Sequence, residues 1–335
     1  MFIRLTSLIF LFSFPVCFMG QGCCSGGASN PIAGGAATGV LQKNQMEISG
    51  NYQNMNSNKF FSQSSETSKL FNNLNSNYLF LRTDYGISEK LTLSLASGYF
   101  INKTLIGFEN IDTTNSSGVS DLIILPRLDV FNKINDRTKT ELTLGIGMKI
   151  PLGSHSDSTL IISHPIIGDI YSINPPTVQN TNGSIDMVYY AFFFRSYIKK
   201  QLRVFTNILY INRGFNSLGQ KFGDYASLGV FISKTFFKKI GVTNQIRMEW
   251  SGKMEAARNI DLLGHYNIEQ ASTGSSKVFF VPQISYMHKS LIFYLTGEIP
   301  IYQNVNGTQV GSKLQLTSGI NYRFFIKKQP VCEVE

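Results

Sequence analysis

The chain has 335 residues, of which 15% are charged and 13% aromatic, with a formal net charge of +9. This length excludes a single small core and leaves room for one large domain or two ordinary ones. The positive charges are scattered over short polar connectors such as residues 133–139 instead of forming a patch with aromatics, so we expect no nucleic-acid partner. An anionic lipid headgroup layer is a suitable neighbour for them.

The N-terminus has the pattern of an export signal over residues 1–22. Arg4 precedes an apolar run from Leu5 to Phe18, which is too short to span a membrane as a helix. Residues 23–44 form a small-residue segment that is either a linker or an insert in the interior of the domain that follows. No later stretch reaches the roughly 18 consecutive apolar residues that a transmembrane helix requires.

The cysteines leave three alternatives open. Cleavage after residue 22 would expose Cys23 for lipid modification, and a disulfide from Cys23 or Cys24 to Cys332 would suit an oxidising compartment. Unpaired thiols are the third alternative. The spacing is not that of a metal site, and we expect neither a metal nor another cofactor.

Residues 45–325 break into segments of about ten residues that alternate in polarity, as the strands of membrane barrels do. The twelve predicted strands are 45–54, 77–87, 90–102, 119–131, 139–151, 184–196, 201–212, 223–234, 239–252, 277–288, 291–302 and 312–325. Long and short connections alternate along most of the chain, as expected for long outer loops and short periplasmic turns. The long connections are 55–76, 103–118, 152–183, 213–222, 253–276 and 303–311. Residues 326–335 form a C-terminal tail.

The two faces of each strand differ in chemistry. In strand 139–151, Leu144, Ile146 and Met148 share one face, whereas Thr143 and Lys149 share the other. A strand can enter hydrocarbon only if all its amides are paired, so a sheet with this apolar face must close on itself. The sequence therefore predicts an all-β fold, a transmembrane antiparallel up-and-down β-barrel of about 12 strands that is apolar outside and polar inside.

Aromatic residues near the predicted strand ends favour belts at the headgroup level, although aromatics are also good strand formers in general. They are Tyr85, Tyr99, Tyr210, Trp250, Tyr286, Tyr322 and Phe324. Two stretches depart from the pattern. Pro126 cannot donate to a ladder, which predicts a bulge or bend there, and residues 184–196 are apolar on both faces.

Charges of both signs fall on the predicted inner face. These candidate lumen-lining residues are Glu47, Arg82, Asp84, Asp121, Arg127, Asp129, Glu141, Lys149, Arg203, Arg247, Glu249, Glu298 and Arg323. They are either a polar constriction that selects solutes or a structural ion-pair network that fills the interior. Phe80, Phe100, Phe205 and Tyr294 fall on the same face, as a path for apolar solutes or as filler.

No arrangement of a nucleophile and a base is recognisable. The four histidines, His155, His164, His265 and His288, lie in predicted loops or at a turn edge, and we expect no enzymatic activity.

Three stretches carry a resemblance to a known family: residues 84–100 ("DYGISEKLTLSLASGYF"), 118–132 ("GVSDLIILPRLDVFN") and 142–154 ("LTLGIGMKIPLGS"). They resemble outer-membrane barrels of the transporter family of the MetA-pathway of phenol degradation, which are in turn similar to FadL-type hydrophobic-solute channels. The resemblance implies a bacterial outer-membrane location, insertion by the barrel-assembly machinery and passive transport of small solutes. Barrels of this kind commonly end on an aromatic residue, but here Phe325 is followed by a ten-residue tail.

The sequence thus supports a porin-like channel for small solutes, hydrophobic or aromatic ones among them, with outer-membrane lipid and the solute as partners. One alternative is a plugged structural or adhesive barrel that binds partners through its long outer loops. Another is a lipid hydrolase embedded in the barrel.

Overall fold

The computed structural model describes residues 39–108, 113–166 and 168–327. The predicted signal peptide, all four cysteines, most of the small-residue segment and residues 328–335 of the tail lie outside these ranges.

The described residues are mainly β-strands. The twelve strands of the barrel are β1 (Gln45–Ser57), β4 (Asn73–Gly86), β5 (Leu91–Ile106), β7 (Asp121–Ile134), β8 (Thr138–Pro151), β11 (Asp186–Tyr197), β12 (Leu202–Asn212), β14 (Tyr225–Phe236), β15 (Ile240–Ser251), β17 (Ser275–His288), β18 (Leu291–Val310) and β19 (Gln315–Phe325). Seven shorter strands lie in the loops: β2 (Phe60–Gln63), β3 (Ser65–Thr67), β6 (Thr113–Val119), β9 (Ser158–His164), β10 (Gly168–Ile173), β13 (Gln220–Lys221) and β16 (Glu255–Ala256). A short helix, α1, spans Leu262–Tyr266.

The twelve long strands form a closed antiparallel barrel in which each pairs with its neighbours in the chain, and β1 pairs with β19. The predicted fold is therefore confirmed, and each predicted strand is present. The largest difference in bounds is in β18, which continues to Val310 instead of ending at 302. Its extension pairs with β2, because a strand that projects beyond the wall still needs a partner for its amides.

The alternation in polarity also has the predicted direction. Leu144 and Ile146 of β8 are 44% and 60% exposed on the outside, whereas Thr143, which precedes Leu144, is fully buried inside. Trp250 and Tyr286 are exposed on the outer wall, each near the C-terminal end of its strand. Because β15 and β17 are antiparallel, the two side chains lie at opposite ends of the barrel. No helix in the described part of the chain is long and apolar enough to span a membrane.

The bulge predicted at Pro126 is not there. The pairing of β7 with β5 runs through Pro126 without a change of register, and Pro126 lies opposite Leu93. The register shift occurs further along β7, between Asp129 and Phe131 in the ladder with β8. A missing N–H removes one bond and leaves the register intact, whereas a shift requires an extra residue on one strand.

The long loops are folded structures. A hairpin of β9 and β10 occupies the connection predicted as residues 152–183, and the pair β13 and β16 joins two other loops. Met254, Leu262 and Ile268 form a small apolar cluster above the barrel. The end of the 152–183 connection turns into the mouth of the barrel, where Val178 and Gln179 are 0% and 4% exposed.

Candidate functional site

The interior of the barrel is the candidate functional site, and its wall has two sectors. One large apolar cluster extends over β4, β5, β7, β11, β12 and β14. It consists of Phe80, Ala96, Ile123, Leu125, Val188, Tyr190, Phe192, Phe205, Leu209, Ile211, Tyr225 and Phe231. The apparently two-sided apolar stretch 184–196 belongs here, because its inner face packs into this cluster. The inner faces of β1, β15 and β19 are mainly polar, with buried residues such as Ser49, Gln245 and Asn321.

Glycines on β8 make room for this cluster. A Cβ at Gly147 would overlap the carbonyl oxygen of Ile124, and one at Gly145 would lie 3.2 Å from the Leu125 side chain. Leu125 itself is fully buried. The close approach of β7 to β8 thus depends on residues without a side chain.

The first charged network joins the polar sector to the apolar one. Arg82 Nη2 lies 3.0 Å from Glu47 Oε1, and Arg82 Nε lies 2.9 Å from Asp84 Oδ2. Asp84 Oδ1 is 3.1 Å from Arg127 Nη2, and Arg323 Nε donates to Glu47 Oε2 at 2.7 Å. Three arginines therefore share two carboxylates, which leaves one positive charge in excess.

The second network has the opposite balance. Arg247 Nε lies 2.9 Å from Glu249 Oε1, and its Nη2 lies 2.6 Å from Glu298 Oε2. The guanidinium carbon is 4.8 Å from the ring centroid of Phe279, as in a cation–π contact. One arginine faces two carboxylates, so this network carries one negative charge in excess.

The third network lies at the end of the barrel with the long loops. Lys149 Nζ lies 3.0 Å from Asp121 Oδ2 and 2.9 Å from Asp186 Oδ2, and it donates to Asn182 Oδ1 at 2.7 Å. Asp186 also accepts hydrogen bonds from Ser184 Oγ and from the backbone N–H of Gly214. These bonds tie the end of the 152–183 connection, which we call the inward loop, to the wall.

The remaining candidate residues lie apart from the three networks. Glu141 pairs with Lys139 at 3.1 Å, Asp129 accepts from Asn132 at 3.0 Å, and Arg203 donates to Thr235. All thirteen candidates occupy inward-facing positions of their strands, but the structure divides them among separate networks. Their role in solute passage stays a prediction.

The described part of the N-terminal segment touches the interior at the end of the barrel with the short turns. The N–H of Val40 donates to Glu141 Oε1 at 3.2 Å, and the N–H of Leu41 donates to Thr92 Oγ1 at 2.7 Å. Leu41 is 2% exposed. Both acceptors are inward-facing side chains, so this segment narrows the opening at the short-turn end.

A cavity of about 360 Å³ lies in the interior at the long-loop end; we call it the vestibule cavity. Tyr78, Phe80 and Phe100 line one side of it, and Lys103 and Arg213 also line it. Lys103 Nζ donates to the carbonyl oxygen of Gln179 in the inward loop at 2.6 Å and lies 4.8 Å from the Phe100 ring centroid. The inward loop therefore contacts the lining of the cavity.

Sequence reasoning missed Lys103, Asp186 and Arg213. Lys103 and Arg213 were assigned to loops, whereas β5 continues to Ile106. Asp186 was read as part of an apolar strand. The sequence does carry one signal that Asp186 belongs to the site. When the ends of β8 and β11 are aligned, Asp186 lies opposite Lys149 in the ladder.

Two charged groups outside the barrel strands set the geometry at this mouth. Asp224 accepts hydrogen bonds from Tyr210 Oη, Asn212 Nδ2 and the N–H of Arg213. Partial burial opposes ionisation of Asp224, but these bonds outweigh it and lower its pKa from the ordinary value. Burial lowers the pKa of Arg213 from its ordinary value.

The loops also bring one histidine to a serine. His155 Nε2 lies 2.8 Å from Ser217 Oγ on the exposed surface. Among the described residues no carboxylate or amide bonds to His155 Nδ1 to orient the ring, as a nucleophile and base arrangement requires. No cluster of three potential metal ligands occurs among the described residues either.

Comparisons with known proteins identify the fold. No family model matches the chain, and no curated protein matches it. The solved structure of the COG4313 outer membrane channel from Pseudomonas putida F1 is similar to 85% of this chain and 97% of that one, with 13% identity and a TM-score of 0.62. A Pseudomonas aeruginosa FadL homologue is similar over 84% of this chain and 90% of that one, with 7% identity and a TM-score of 0.40. The first likeness shows that the chain has the fold of an outer-membrane β-barrel.

Proposed function

We propose that this protein is a bacterial outer-membrane channel for the passive transport of small solutes, hydrophobic or aromatic ones among them. The observation that carries the proposal is a closed barrel with an apolar outer wall and a charged interior that holds a cavity at its extracellular end. An interior that only filled space would be more stable with apolar packing, since buried charges recover little beyond their desolvation cost.

The two-sector wall supports a route for solutes that are partly apolar. The apolar cluster runs along the wall from the vestibule cavity, where Phe80 and Ile211 line it, to Phe205 and Phe231. Phe205 and Phe231 stack with their centroids 4.3 Å apart. A solute with an aromatic ring would exchange one such contact for another along this sector.

A plugged barrel is the second candidate, because the middle of the interior is densely filled. Arg82, Arg127 and Arg247 are at most 2% exposed, and Val178 of the inward loop is fully buried in the mouth. On this alternative the long outer loops would bind a partner and no solute would pass. The two candidates predict different behaviour in a bilayer.

Conductance separates them. The purified full-length barrel, reconstituted in planar bilayers, is expected to give discrete single-channel steps, and liposomes that contain it are expected to swell in small neutral solutes. A barrel that folds, as judged by heat-dependent gel migration, yet never conducts would contradict the channel and favour the plugged alternative. Liposomes without protein are the control.

The proposal also includes the partners of the protein. The partners are outer-membrane lipid, the solute and the barrel-assembly machinery that inserts such chains, with no nucleic acid. For the lipid-hydrolase alternative, the His155 and Ser217 pair is the one geometry to test. We expect His155→Ala to leave lipid turnover by the reconstituted protein at background.

A further inference from the structure

The vestibule cavity combines two kinds of lining that one class of solute would satisfy. Its aromatic side contains Tyr78 and Phe100, whose ring centroids are 4.4 Å apart, with Phe80 next to Tyr78. At about 360 Å³ the cavity lies within the range of small-molecule pockets, and a cavity of roughly 150 Å³ already holds benzene. There is room for one substituted ring and a few waters.

The charges around the cavity are not all directly paired. Lys103, Lys149 and Arg213 line it, and the carboxylates near them are Asp121 in the lining, Asp186 behind Lys149 and Asp224 at the backbone of Arg213. Lys149 engages Asp121 and Asp186 directly.

Lys103 and Arg213 are the two cations without a directly bonded carboxylate. Within the described residues neither side chain forms an ion pair; Asp121 acts on Lys103 from a distance, and Asp186, Asp121 and Asp224 act on Arg213 in the same way. Arg213 Nε is buried and has no hydrogen-bond partner among those residues. An unpaired buried guanidinium N–H favours an acceptor, and a carboxylate accepts from it with the best geometry.

Two hydrogen bonds fix the backbone at Arg213. Its backbone N–H is held by Asp224 at 2.9 Å, and the next residue, Gly214, donates its N–H to Asp186 at 3.2 Å. Lys103 is held by Gln179 O and by the face of Phe100. The Lys103 ammonium and the backbone that carries Arg213 are therefore placed before any ligand arrives, which lowers the entropic cost of binding.

We propose that the vestibule cavity binds small aromatic carboxylates, with the carboxylate at Arg213 and Lys103 and the ring against Tyr78, Phe80 and Phe100. The carboxylate gives Arg213 and Lys103 the direct acceptor that they lack, and the ring replaces water on the aromatic side. This inference deepens the proposed channel function by naming a solute class, and it rests on that function for the passage of the solute. Binding itself needs no open pore.

Titration calorimetry on the detergent-solubilised full chain tests the proposal with three probes. Benzoate carries ring and charge, benzyl alcohol carries the ring alone, and acetate carries the charge alone. We expect benzoate to bind at least about tenfold more tightly than either of the others, since one charge-assisted hydrogen bond is worth roughly that factor. Equal binding of benzoate and benzyl alcohol, or of benzoate and acetate, would overturn the proposal.

Two variants locate the site. Arg213→Gln and Lys103→Met are each expected to weaken benzoate about tenfold while leaving benzyl alcohol unchanged. Lys221→Met is the matched control, because Lys221 is a loop lysine outside the cavity that pairs with Glu255. Unchanged benzoate affinity in both folded site variants would refute the assignment.

The outcomes also separate this inference from the channel proposal. Benzoate binding without conductance would contradict the channel and leave the binding site standing. Conductance without benzoate binding would contradict the binding site and leave the channel proposal standing.

Discussion

Arg82 and Asp84 lie two residues apart on β4 and form an ion pair of 2.9 Å inside the barrel, with side chains that are 1% and 0% exposed. Asp84 also pairs with Arg127 on β7, across β5. Removal of one partner from such a pair leaves a buried charge without compensation.

We therefore expect Asp84→Asn to lower the free energy of unfolding by about 3–5 kcal/mol. Urea unfolding in micelles, followed by the fluorescence of Trp250, the single tryptophan, would measure it. Glu66→Gln is the control, because its pair with Lys59 is about half exposed and such pairs contribute roughly 0–1 kcal/mol. A similar effect of both substitutions would contradict the buried network.

A charge on the outer wall should be costly in proportion to its depth. We expect Leu144→Arg, in the middle of β8, to destabilise the barrel by about 2–4 kcal/mol in lipid vesicles. Leu314→Arg, beside the extracellular end of β19, should cost roughly 0–1 kcal/mol although Leu314 is also exposed. Equal costs at both positions would show that Leu144 does not face hydrocarbon.

Two glycines should respond differently to alanine. We expect Gly147→Ala to lower the free energy of unfolding by about 1–3 kcal/mol, because the new Cβ overlaps the Ile124 carbonyl. Gly50→Ala should be neutral or slightly stabilising, since a Cβ there meets no atom within 4 Å. Parallel urea titrations of the two variants measure the difference, and the reverse order would contradict the packing of β7 on β8.

The stability contributed by Asp224 should depend on pH with a defined sign. Its pKa is lowered in the folded state, so its contribution is complete above the ordinary value of about 3.9 and is lost as the pH falls through the lower folded value. We expect Asp224→Asn to lower the midpoint of thermal unfolding at pH 6 and to match the wild type near about pH 2. If the midpoints of thermal unfolding of variant and wild type differed as much in acid as at pH 6, this role for the carboxylate would be contradicted.

The inward loop should restrict conductance. We expect replacement of residues 175–181 by a short Gly-Ser linker to raise single-channel conductance several-fold, because this removes Val178 and Gln179 from the mouth. Replacement of residues 64–69, in the loop that follows β1, is the control. An unchanged conductance would place the narrowest point deeper in the interior.

The faces of the strands were predictable from the sequence because they depend on neighbours along the chain. The alternation of Thr143 and Leu144 needs no partner strand to be recognised, and the same holds for most of the other strands, although residues 184–196 are apolar on both faces. A ladder register is harder to predict, as Pro126 shows: the shift falls at Asp129, where two strands differ by one residue in a way that neither reveals alone.

The contacts at the extracellular mouth were not predictable in this way. Lys103 and Gln179 are 76 residues apart, and their hydrogen bond depends on how a loop folds back into the barrel. Arg213 owes its position to Asp224 and Asp186, which no local pattern places beside it. The sequence shows which charged residues are present, whereas their grouping depends on how the strands close into a barrel.

The seam between β1 and β19 has a consequence for biogenesis. Gln45 pairs with Phe325 and Met55 with Gln315, so the first strand of the wall finds one of its two partners only in the last. Until the final strand is in place, β1 and β18 each present an edge with unpaired amides. We expect closure to be the last step of assembly, and a chain without β19 to be left with two aggregation-prone edges.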